Sequence, residues 1–224
     1  MENKKKNSLP GKGCLIALII GIILFFLLLI ICVIFSDEAT DKPIDNKIEN
    51  IIDSTQIKYN DSLRLETKKK IDAERQRLDI KYDDIEQVTW IYSKSKPKYT
   101  NTMAFFNYIG LKDDGQRWKR IVIRYHGNDW LFINKIIIKT DNQTYTLNAS
   151  DSKRDHNADV WEWIDIAEGD TEYVMINDII NSSAVKVRFV GQQYHRDWIL
   201  TKKEIKGLKE IEDYYYLLDS YYTR

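Results

Sequence analysis

The stretch Trp130-Leu131-Phe132-Ile133-Asn134-Lys135-Ile136-Ile137-Ile138-Lys139 reads as a strand that is apolar on both faces. In an extended chain Trp130, Phe132, Ile136 and Ile138 fall on one side, and Leu131, Ile133 and Ile137 on the other. Such a strand is expected to lie centrally between two covering layers, one of them supplied by a helix. The segments around it have the same character. Val88–Ser93, Met103–Leu111, Trp118–Tyr125, Thr144–Asn148, Val160–Ile166, Val185–Val190 and Tyr194–Leu200 are short runs rich in β-branched and aromatic residues, bounded by turn formers. Asp113-Asp114-Gly115, His126-Gly127-Asn128-Asp129 and Asp141-Asn142 mark reversals between them.

Two helices interrupt or close this series. Thr201 and Glu204 stand at capping-box spacing, and Ile205, Leu208, Ile211, Tyr215, Leu218 and Tyr222 follow at helical intervals, which predicts a helix over Lys202–Tyr221. A shorter helix is expected over Thr171–Asn181, capped by Asp170 or Thr171. The expected fold class is α+β: an antiparallel β-rich domain, as one sheet or a small sandwich, with a short helix and a C-terminal amphipathic helix.

N-terminal to this domain the composition changes twice. From Leu15 to Phe35 every residue is Leu, Ile, Phe, Val, Ala, Gly or Cys. At about 1.5 Å per residue that length matches a hydrocarbon core of roughly 30 Å, so a single transmembrane helix is expected within residues 14–36. A cleaved secretory signal has a shorter apolar region and a small-x-small site, and Cys32-Val33-Ile34-Phe35 supplies none. Lipidation at Cys32 fits poorly, because Ile31 stands where bacterial lipoprotein signals carry a small residue. Lys4, Lys5, Lys6 and Lys12 precede the span, whereas Asp37, Glu38 and Asp41 follow it. The positive flank stays cytoplasmic, so residues 1–13 are expected to form a cytoplasmic basic tail, with the C-terminal domain extracytoplasmic. Residues 37–84 are charged and nearly free of aromatics, which predicts a polar, partly helical stalk. Ile71, Leu78 and Ile85 recur every seven residues, but charged positions such as Glu74 and Arg75 interrupt any coiled-coil seam. The globular domain is then residues 85–224.

Charge and cysteine content exclude several function classes. Lys plus Arg and Asp plus Glu both number 34, which leaves no basic footprint for nucleic acid. Both cysteines, Cys14 and Cys32, lie in or beside the apolar segment, so the domain has neither a disulfide nor a thiolate zinc site. His126, His156 and His195 share no ligand spacing and read as loop histidines. Neither a glycine-rich phosphate loop nor a nucleophile elbow is present, so no cofactor and no catalytic residue is expected. Glu162, Asp165, Glu168 and Asp170 lie close together, and two of them acting as acid and base give the alternative, an extracytoplasmic hydrolase.

The tract Trp130–Ile133, the pair Glu162 and Trp163, and Arg188, Phe189 and Gly191 before the final helix resemble an uncharacterised family of bacterial membrane-anchored or lipoprotein-like envelope domains. The resemblance spans roughly Ile85 to Tyr222. It implies a bacterial envelope protein and transfers no activity. The expected function is a membrane-anchored extracytoplasmic binding or interaction module. Its partners are the lipid bilayer through residues 15–35 and an envelope protein or polymer, with no nucleic acid.

Two sites are expected within the domain. Alternation places Glu162 on the buried face of its strand, so an arginine from a neighbouring strand, Arg188 or Arg124, is expected to pair with it. Trp161 and Trp163 project from the opposite face. They form a partner-binding patch if that face is uncovered, and core otherwise.

Overall fold

A computed structural model describes residues 45–223, with side chains from residue 56 onward. The expected span at 15–35, its basic tail and the first part of the stalk lie outside the described residues. Among the described residues no helix is long and apolar enough to cross a membrane. The chain divides into two units that meet at residues 57 and 58. The first contributes, among the described residues, only the opening turns of helix α1 (Asp45–Arg75).

The second unit is α+β and β-rich, with two antiparallel sheets. The larger sheet contains β1 (Leu78–Asp83), β2 (Val88–Ser93), β3 (Ala104–Lys112) and β4 (Arg117–Gly127), followed across the sheet by β8 (Val160–Ala167) and β7 (Lys153–His156). The smaller sheet has the order β10 (His195–Ile199), β9 (Lys186–Val190), β5 (Lys135–Lys139), β6 (Thr144–Asn148). Helix α2 (Asp170–Asn181) follows β8, and α3 (Lys202–Tyr222) closes the chain.

Period-two alternation explains the layering. Phe105, Ile121, Ile123 and Ile164 point inward from the larger sheet, and Ile136, Ile138, Val187 and Phe189 inward from the smaller one. Met175, Ile176 and Ile179 of α2 and Leu208 of α3 fill the same core. A second cluster joins Ile91 and Ile109 to Ile211, Tyr214 and Leu218 of α3, and to Ile71 and Leu78. The capping box appears at α3 as its spacing requires, with Glu204 N–H donating to Thr201 Oγ1 and Thr201 N–H to the Glu204 carboxylate. At α2 the cap is Gly169, one residue before the expected Asp170 or Thr171, because Glu172 reaches back to the Gly169 N–H.

The first correction concerns the domain start. Residue 85 is not its boundary: β1 pairs with β2 through all six of its residues, and Ile71 and Leu78 are buried in the domain's own core rather than in a coiled-coil seam. Ile85, the third member of the heptad, is 87% exposed in the β1–β2 turn. A truncated chain beginning at Asp83 is therefore expected to be about 3 kcal/mol or more less stable than one beginning at Lys58, since two aliphatic side chains lose their burial. Equal urea midpoints for the two would contradict this packing.

The second correction concerns Trp130–Lys139. Only Lys135–Lys139 is a strand, and it is an interior one, between β9 and β6. Trp130–Asn134 is irregular, and Phe132 has a left-handed φ of 54°, uncommon for a residue with a side chain. The reason is non-local. Three successive amides that a strand would give to its ladder, those of Leu131, Phe132 and Ile133, donate instead to the Glu162 carboxylate at 2.7, 2.9 and 2.9 Å. On the other side the segment abuts Gly191, where a Cβ would lie 2.0 Å from the Leu131 carbonyl oxygen, so only glycine fits.

A candidate recognition groove on the larger sheet

The larger sheet has its inner face against the core, so every second residue of its strands points the other way. Cross-strand register aligns these outward residues. Tyr92 faces Tyr108, which faces Arg120; Phe106 faces Val122, which faces Asp165; Arg124 faces Trp163. Among the described residues, no helix and no strand of the second sheet lines this surface. Part of it lies beneath the β2–β3 loop, which Arg124 fastens: its Nε donates to the Thr102 carbonyl at 2.9 Å and its Nη2 to the Tyr99 carbonyl at 3.0 Å.

Between that loop and β8 runs an open groove of about 470 Å³, within the range of small-ligand sites. Phe106, Tyr108, Trp161 and Trp163 give it an aromatic floor, with Lys96 and Arg124 on the loop side and Asp155 and Asp165 toward the β7 and β8 side. Tyr92 and Tyr108 stack at 5.2 Å. Tyr108 donates its hydroxyl to Asp165 at 3.0 Å, and Arg120 Nε donates to the same carboxylate at 2.7 Å. Burial, then the Asp165 charge, pushes the Tyr108 hydroxyl well above the usual tyrosine range, so it remains a donor at any physiological pH. The two tryptophans singled out from the sequence thus lie in this groove, Trp161 buried and Trp163 half-buried. Tyr92, Phe106 and Lys96 were not singled out, and Arg124 was expected elsewhere, because strand register and a folded-back loop, not spacing, assemble them.

The expected pairing of Glu162 with Arg124 or Arg188 is corrected. Arg124 serves the β2–β3 loop on the opposite face of the sheet, and Arg188 forms a two-point pair with Asp197 on β10, at 2.6 and 2.8 Å. The partner is Arg154, directly across from Glu162 on β7, with Nε 3.1 Å from the carboxylate. Glu162 is fully buried, and three amide donors and the Arg154 guanidinium converge on its carboxylate, which ties the Leu131–Ile133 segment to β8.

The other carboxylates of the cluster are also separated. Asp165 lies in the outer groove. Glu168 and Asp170 border a hollow of about 430 Å³ beside α2, where a constellation the sequence did not suggest appears. Lys119, on the inner side of β4, lies between Glu168 and Glu212 of α3 and contacts both. Asn107 Nδ2 adds a donor to Glu212 at 2.7 Å. Lys119 meets Glu168 at ion-pair distance but without the alignment of a hydrogen bond. Burial, and next the Glu212 charge, outweigh what Lys119 supplies and raise the Glu168 carboxyl to about 7. The lysine is held above its ordinary value, because its two carboxylates together outweigh the burial that acts most strongly to lower it. Signals at 119 and 212 are invisible in sequence, since each is a single charged residue on an otherwise ordinary element.

His126, on β4, contacts Asp159 at 3.2 Å, while His156 and His195 lie on the exposed strands β7 and β10. No three His, Cys, Asp or Glu side chains among the described residues come together as a metal would require. No family model, curated protein or solved structure matches the chain.

Proposed function

We propose that the protein is a binding module anchored in a bacterial cell membrane by residues 15–35, with its domain displayed outside the cytoplasm and its recognition surface on the outer face of the larger sheet. One observation carries this reading: an open groove with an aromatic floor holds two cations, Lys96 and Arg124, that have no carboxylate within ion-pair distance among the described residues, on a face that none of the described helices and no strand of the smaller sheet lines. Aromatic and arginine side chains are the residue types that dominate binding hot spots. The anchor and orientation rest on the apolar run and its charged flanks. The scattering of Glu162, Asp165 and Glu168 over three environments favours binding over carboxylate hydrolysis.

Alkaline phosphatase fused after Arg224 is expected to be active in the host cell; an inactive fusion alongside an active cytoplasmic reporter would overturn the orientation. Trp163→Ser is expected to reduce crosslinking to the partner in native membranes at least tenfold while the domain still unfolds cooperatively, at a cost of about 1–3 kcal/mol for the partly buried ring. Undiminished crosslinking would remove this face as the recognition surface.

A further inference from the structure

Two cations border the groove without a counter-charge. Arg124 is 7% exposed, yet its bonds run to the carbonyls of Thr102 and Tyr99 and to the Thr102 hydroxyl, and among the described residues no carboxylate lies within ion-pair distance. Lys96 Nζ sits 4.2 Å over the Tyr92 ring and 5.8 Å over that of Phe106, likewise with no acid at that distance among the described residues. A buried charge is normally paired, because desolvation is costly unless an opposite charge compensates. Burial holds both groups below their ordinary values; at Lys96 the Lys81 charge adds to this, Asp79 opposes it, and Arg124 has the smallest effect. An anion seated between the two cations would offset the desolvation that each bears.

The rest of the groove narrows the kind of anion. On the far side Asp165 is already paired with Arg120, while Asp155 has no cation within ion-pair distance among the described residues; both accept hydrogen bonds, and Asp155 repels a second negative charge, which disfavours a polyphosphate or an acidic peptide. Phe106 and Trp163 offer half-buried ring surface to a flat, weakly polar body. Of the strands beneath the groove, β2, β3, β4 and β8 are paired on both sides and only β7, which contributes Asp155, has a free edge, so most of the floor offers side chains rather than backbone to a ligand. One negative charge, several hydroxyl donors and an apolar ring face together describe an acidic sugar.

Resting on the reading of this face as the recognition surface, we infer that the groove binds a carboxylate-bearing saccharide. The carboxylate lies between Lys96 and Arg124, the hydroxyls donate to Asp155 and Asp165, and a ring face packs on Trp163. The full-length chain in detergent, titrated with a galacturonic acid trisaccharide and followed by tryptophan emission and calorimetry, provides the test. The acid is expected to bind at least tenfold more tightly than its neutral methyl ester, and Lys96→Gln and Arg124→Gln each to weaken it tenfold or more. Arg124 also fastens the β2–β3 loop, so Lys96→Gln, which breaks no hydrogen bond within the fold, carries the test if the arginine variant unfolds. Equal affinity for acid and ester, or binding indifferent to Lys96→Gln, overturns the inference. Preferential binding of tetraglutamate, lost in Lys96→Gln and Trp163→Ser, overturns the saccharide and leaves the recognition face standing. If no probe depends on Trp163 and Trp163→Ser crosslinks undiminished in membranes, both readings fall.

Discussion

Replacing Glu162 by alanine is expected to destabilise the domain by about 3–5 kcal/mol, the range for removing one partner from a buried charged network. The variant leaves the amides of Leu131, Phe132 and Ile133 without their acceptor and Arg154 without its anion. In a domain of this size that corresponds to a fall in melting temperature of roughly 10 °C or more. Glu162→Gln keeps the shape but turns an amide group toward donors, and is expected to lose about 2 kcal/mol. The effect should be local before it is global. Hydrogen exchange at the three amides should accelerate in Glu162→Gln well before the protection of β3 and β4 is affected. A loss below about 1 kcal/mol for the alanine variant would mean that water replaces the carboxylate and that the segment does not depend on it.

Lys119→Met is the second large effect. It leaves Glu168 and Glu212 facing one another in the interior with no cation between them, and is expected to cost about 3–5 kcal/mol near pH 8. The cost should shrink as pH falls through 7 and Glu168 takes up its proton. The wild type carries a weaker pH signature of its own. Because the folded-state Glu168 carboxyl is raised to about 7, the native protein holds a proton that the unfolded chain has already released. The corresponding stability is fully present below the unfolded value near 4.5 and is lost as pH rises through 7. A shift of that size corresponds to roughly 2–3 kcal/mol at most across the window. Urea midpoints measured from pH 4.5 to 8 should show this decline in the wild type but not in Glu168→Gln. A decline that persists in the glutamine variant would assign it to another group.

These two clusters also mark where sequence reading succeeds and fails. Elements specified by local chemistry were legible: the Thr201 and Glu204 box, the Asp141 and Asn142 reversal, and strands such as β2 and β6 whose boundaries coincide with the expected ones. The two overlooked strands, β1 and β7, are the edges of the larger sheet. Edge strands are commonly charged, which protects against further pairing, and β7, Lys153-Arg154-Asp155-His156, is exposed throughout and carries no apolar alternation. Missing β7 led directly to the wrong arginine for Glu162, since Arg154 is its cross-strand neighbour. The face assigned to Glu162 was right, because alternation along a strand with a buried face is a local property. Trp130–Ile133 misled for the opposite reason: an apolar run with strand propensity has its amides captured by a carboxylate some thirty residues later. The groove lay between these extremes. Its tryptophans were legible as the residues opposite Glu162 on one strand, whether exposed or packed, whereas Arg124 joins them through strand register and Lys96 through a loop folded back over the sheet.

The central claim is that the outer face of the larger sheet, and not another surface of the domain, meets the partner. Photo-crosslinking from single positions in native membranes tests it most directly. Tyr99 at the rim of the groove and Tyr194 in the β9–β10 turn of the smaller sheet are comparably accessible, at 63% and 72% exposed. A photoreactive residue at position 99 is expected to form adducts that Trp163→Ser abolishes, while one at position 194 forms none. Adducts from position 194 with none from position 99 would contradict the account.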